Sequence, residues 1–101
     1  MNRKEELLLV LMEECAEIIQ AVSKIRRFGE HAYNPLDKKK ITNSVHLETE
    51  IGDFMGVLKL LVEENHINGE NLIELAEKKI KKLDKYMNAK RPIDKYDRDD
   101  I

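Results

Sequence analysis

The stretch LLLVLMEECAEIIQAVSKI, residues 7–25, decides the fold. Leu7, Leu11, Glu14, Ile18, Ala21 and Ile25 recur in alternating steps of four and three, the period of one helical face. Leu8, Met12, Cys15, Ile19 and Val22 run beside them. The two lines make a wide apolar face of the kind that bundle helices bury. The pattern extends from about Arg3 to Arg27, and Gly29 supplies a stop.

Beyond it, the segment from Gly29 to Ile41 carries Asn34-Pro35 and Lys38-Lys39-Lys40 and reads as a loop. Asn34-Pro35 also suits the opening of a short helical turn. Thr42-Asn43-Ser44 offers three N-caps in a row for a second helix, which ends near Glu64. From Phe54 to Val62 only Lys59 is charged, so this helix is apolar nearly all round and should be buried on most sides. A third helix runs from Asn68 or Gly69 to Met87 along the seam Ile73, Ala76, Ile80, Leu83, Met87. The expected architecture is all-α: an antiparallel helical bundle over residues 1–88, with a C-terminal tail over 89–101 that is extended or loosely docked. Three helices cannot easily surround Phe54–Val62, so oligomerisation is expected to complete the bundle.

Composition agrees. A chain of 101 residues makes one domain. Charged residues are 38% of it, against about 25% in typical domains. Four glycines and two prolines are too few for the turns of a β-sandwich. A net charge of −2 weighs against a general nucleic-acid binder. One cysteine excludes a disulfide framework and a cysteine-built zinc site. No apolar run approaches 18 residues, and acidic Glu5-Glu6 follows too soon for a signal peptide. The expectation is a cytoplasmic protein with no membrane partner.

Chemistry enters where carboxylates occupy places meant for leucines. Residues three apart on a helix are neighbours, so Glu-x-x-Glu can share a cation. Glu74/Glu77 has this spacing but lies among Glu70, Lys78 and Lys81, an ordinary solvated face. Glu14/Glu17 differs, because Glu14 sits in the seam between Leu11 and Ile18. In the second helix Glu50 falls in the line Leu47, Glu50, Phe54, Val57, Leu61, and Asp53 follows beside Val57 and Leu60. Burying an ionised carboxylate costs several kcal/mol unless it is paired, and no basic residue interrupts either seam. Four oxygen ligands without clustered thiols or imidazoles suit a hard cation, Mg²⁺ or Mn²⁺. A di-iron bundle wants two Glu-x-x-His pairs, and Glu63/His66 is a single match.

Glu13-Glu14-Cys15-Ala16-Glu17 followed by Glu50-Ile51-Gly52-Asp53 resembles the EExxE…ExxD pattern of the MazG-like nucleoside triphosphate pyrophosphohydrolases. This all-α superfamily also holds dimeric dUTPases and phosphoribosyl-ATP pyrophosphohydrolases. Arg27-Phe28-Gly29 and Thr42-Asn43 look like the small stand-alone and phage-type members, and the likeness spans about Glu5 to Met87. It implies a helical dimer or tetramer holding Mg²⁺ through Glu14, Glu17, Glu50 and Asp53. The implied catalytic reaction cleaves a nucleoside triphosphate between the α and β phosphates, giving NMP and pyrophosphate. Apart from the resemblance, a carboxylate not fully committed to metal could take the water's proton, and Glu17 is the choice among the four. Thirty-two residues separate Glu17 from Glu50, more than in compact members, so the loop cannot be matched residue by residue.

Basic residues for the phosphates are drawn from Lys79, Lys82, Lys24 and Arg27. Lys79 and Lys82 adjoin the third seam, where they equally suit lysines lying over apolar surface. Cys15 reads as a small core hydrophobe, His46 as a helix-end histidine one turn before Glu50, and Tyr33 as a loop ring able to stack on a base. Two rivals share the pattern: a non-catalytic oligomerisation or regulatory module with a structural cation site, and a phosphoribosyl-ATP pyrophosphohydrolase.

Overall fold

The computed structural model describes residues 1–92 of the chain. It contains three helices, α1 (Arg3–Phe28), α2 (Asn43–Glu63) and α3 (Gly69–Tyr86), and no strand among the described residues. Two compact units are distinguished, Met1–Ile67 with α1 and α2, and a second beginning at Asn68 with α3.

In the first unit, α1 begins on a capping box. Asn2 Oδ1 accepts from the Glu5 amide at 2.8 Å, and Glu5 Oε2 accepts from the Asn2 amide at 3.2 Å. It stops at Gly29, whose φ of +94° suits glycine and whose amide donates to the Ile25 carbonyl at 2.8 Å. Arg26 and Arg27 sit in the last turn, where the helix dipole favours cations.

Of the three caps available to α2, Thr42 serves, its Oγ1 accepting from the Val45 amide at 3.3 Å. Asn43 has another task. It is buried, and its Nδ2 donates to the Gly29 carbonyl at 3.0 Å and the Lys24 carbonyl at 3.5 Å. The start of α2 is thereby held to the end of α1. At the other end Arg3 forks onto Glu64 with two contacts of 2.8 Å.

The expected seams of α1 and α2 are the covered sides of their helices, whereas the α3 seam Ile73, Ala76, Ile80, Leu83, Met87 is exposed. Leu7 and Ala21 are buried and Leu11, Glu14, Ile18 and Ile25 half-buried. On α2, Leu61 is fully buried, and Leu47, Glu50, Phe54 and Val57 are half-buried. The flanking α1 line is different: Leu8, Met12, Cys15, Ile19 and Val22 are all exposed, so Cys15 is not a core residue within the chain. Within the chain, Phe54–Val62 keeps Met55 and Leu60 exposed.

In the second unit, Asn68 caps α3 by accepting from the Asn71 amide at 3.1 Å. The chain after α3 returns to it. Lys90 Nζ donates to the Asp84 and Lys85 carbonyls, and Arg91 pairs with the Asp84 carboxylate at 2.9 Å. Lys90 here satisfies carbonyls that the helix leaves open at its C-terminal end. Residues 89–92 of the expected tail include these two basic side chains, and residues 93–101 lie outside the described residues.

Candidate functional site

Packing of α1 on α2 sets one seam against the other, so the carboxylates embedded in those seams meet. Glu14, Glu50 and Asp53 each offer an oxygen, and these oxygens all lie within 4.8 Å of one another. Glu14 and Glu50 are half-buried and Asp53 is exposed. Glu17, one turn beyond Glu14 and exposed, stands outside that trio but close to Glu50.

The electrostatics follow from crowding in a partly dry place. Burial pushes the Glu14 carboxyl above its ordinary range, and the charges of Asp53, Glu17 and Glu13 add to it. Glu50 is raised in the same way, first by burial, then by the charges of Glu17 and Asp53, a side-chain hydrogen bond with Glu17 and the charge of Glu14. Among the described residues, no ion pair involves any of these four carboxylates. Glu14 Oε2 is buried without a hydrogen-bond partner among the described residues. Converging oxygens, with a buried and unpartnered oxygen on one of the same carboxylates, fit a hard divalent cation, which takes oxygen ligands by preference.

The basic residues named from sequence fall on α1 and α3. Lys24 is on α1 two turns beyond Glu17 and lines a cleft bordered by the loop. Arg27 lays its guanidinium over the Phe28 ring, 4.9 Å from its centroid. Lys79 and Lys82 fall on α3, in the second unit. His46 is half-buried near the start of α2 and lines the same cleft as Lys24. Sequence reasoning missed the tie made by Asn43, because among three adjacent cap residues nothing local marks the one whose side chain is used elsewhere.

The fold and this cluster define a helical protein with an acidic site suited to a divalent cation. Residues 2–87 match the model of the MazG nucleotide pyrophosphohydrolase domain, and the chain belongs to that family. No curated protein and no solved structure matches it. No helix among the described residues is long and apolar enough to cross a membrane.

Proposed function

We propose that the protein is a Mg²⁺-dependent nucleoside triphosphate pyrophosphohydrolase, cleaving (d)NTP between the α and β phosphates. The observation that carries this reading is the unpartnered buried oxygen of Glu14 within a three-carboxylate cluster, in a chain of the MazG family. Glu14, Glu50 and Asp53, with Glu17 at the edge, are the residues that would hold Mg²⁺ or Mn²⁺. When bound, the ion supplies neutralising charge for the triphosphate and a more acidic water.

The chain's own residues do the rest. Glu17 is our choice to accept the proton of the attacking water, because it neighbours Glu50 yet stands outside the trio. The water oxygen bonds to the α-phosphorus, the α–β bridging bond breaks, and pyrophosphate leaves. Lys24 and Arg27, on α1 beyond Glu17, are assigned to the phosphates, where positioning and charge carry most of the rate. Exposed apolar side chains at Met12, Ile19 and Met55 favour an assembly of two or four copies that covers them, completing an antiparallel bundle. We assign this work to the cytoplasm, on a free nucleotide.

The test is a panel of canonical and modified nucleoside triphosphates with Mg²⁺, resolving pyrophosphate from orthophosphate. Pyrophosphate with a matching monophosphate is expected. Orthophosphate alone would overturn the reaction, and no turnover of any nucleotide would favour a non-catalytic module.

A further inference from the structure

The connection from α1 to α2 takes residues 29–42, where helix–helix links in bundles need roughly 2–8 residues. This length is not slack. Asn34 Oδ1 accepts from the Leu36 amide at 2.9 Å, and the Asp37 carboxylate accepts from the Lys39 and Ile41 amides at 3.0 and 3.2 Å. Backbone amides of Asn43 and Ser44 donate to the carbonyls of Ala32 and Glu30 at 2.8 and 2.9 Å. A loop bonded in this way holds a shape, and ordering it costs entropy that the core does not demand. Leu36, its most exposed apolar residue, is 89% accessible.

What the loop does is wall a cleft of about 890 Å³. Ligand pockets run from ~300 to ~1,000 Å³, mostly apolar with a few polar groups, and this cleft is of that kind. Its lining includes Lys24, Phe28, Tyr33, Pro35, Ile41 and His46. None of the four carboxylates lines it, yet it adjoins them along both helices. His46 is one turn before Glu50 on the same face of α2, a rise of ~6 Å. Lys24 is seven residues past Glu17 on the same face of α1, a rise of ~10.5 Å. Those intervals suit a molecule with phosphates at the carboxylates and a flat apolar end one sugar further along.

We propose that this cleft receives the nucleobase of the substrate, stacked on Tyr33, with Lys24 at the step between base and phosphates. The proposal rests on the nucleotide reading of the carboxylate site. Tyr33 is 43% exposed, so its ring is available without unfolding the loop. Phe28 offers a second ring, braced on one face by Arg27. Stacking a base on an aromatic side chain is worth roughly 5- to 150-fold in affinity and tolerates different bases.

Steady-state kinetics on the nucleotide panel, with Mg²⁺-tripolyphosphate as a base-free competitor, test it in Tyr33→Ala and Tyr33→Phe. Expected in Tyr33→Ala is a KM at least about fivefold higher for the preferred nucleotide, with kcat little changed and the inhibition constant of tripolyphosphate unmoved. Tyr33→Phe, which keeps the ring, should keep the wild-type KM. Calorimetric titration with the product monophosphate should show the same loss in Tyr33→Ala. An unchanged KM, or an equal loss for tripolyphosphate, overturns the assignment while leaving the hydrolase reading standing. A wild-type protein that turns over no nucleotide removes both.

Discussion

Glu14 of α1 and Glu50 of α2, thirty-six positions apart in the chain, bring carboxylate oxygens within 4.8 Å of each other, and both are half-buried. Each is held above its ordinary pKa, first by burial and then by neighbouring carboxylates. A protein that folds this way without a counter-charge carries a penalty at neutral pH that a cation would relieve.

The first prediction concerns pH and metal together. A carboxyl with a raised folded pKa binds more protons folded than unfolded, so the contribution of Glu14 and Glu50 to metal-free stability is greatest below the unfolded value near ~4.3. It falls as pH climbs from there to the folded values of Glu14 and Glu50, and stays reduced above them. Mg²⁺ at 100 times its Kd adds about 2.7 kcal/mol, and each kcal/mol moves Tm by about 4–8 °C in a domain of this size. Thermal melts should therefore rise by roughly 10 °C or more with Mg²⁺ at pH 7.5 and barely respond at pH 4.5. An equal response at both pH values would show that these carboxyls do not hold the ion.

Glu50→Gln separates a cation site from a structural hydrogen-bonded cluster. Removing one charge from the crowded group should raise Tm of the metal-free protein at neutral pH and shrink the Mg²⁺ response. Turnover should fall by at least about a hundredfold. If the variant instead melts earlier without metal and keeps the full Mg²⁺ shift, Glu50 is held by protein partners and the site lies elsewhere.

Assembly is tested by mass. Met12, Ile19 and Met55 are 67%, 70% and 60% exposed, more apolar surface than a small chain comfortably leaves in water. Light scattering at micromolar concentration should give at least twice the 11.8 kDa of the chain. Ile19→Glu or Met55→Glu should lower that mass or yield insoluble protein. A wild-type mass of one chain would refute the assembly.

Asn43→Ala tests the tie between the helix ends. The Gly29 and Lys24 carbonyls lose their donor, a cost of about 1–3 kcal/mol. That corresponds to a fall of several degrees in Tm. Asn43→Asp, which sets a carboxylate against two carbonyl oxygens, should melt lower still. Should Asn43→Ala melt with the wild type, these hydrogen bonds contribute nothing net.

Much of this protein is local. Helical period and cap chemistry are properties of a few neighbouring residues, so α1, α2 and α3 begin and end within one or two residues of the places that Gly29, Thr42 and Asn68 mark in the sequence. The seams are local too, and with them the anomaly of Glu14 and Glu50 among leucines and isoleucines. Distance between helices is not local. Only the packing of α1 on α2 decides that Glu14, Glu50 and Asp53 form the close trio while Glu17 stands at its edge. Asn43 illustrates the same limit: its type suits a cap, but the nearby Gly29 carbonyl, set there by the loop, draws its amide away. The cleft beside Tyr33 arises from hydrogen bonds between residues that are adjacent only after the loop has closed, which no periodicity records.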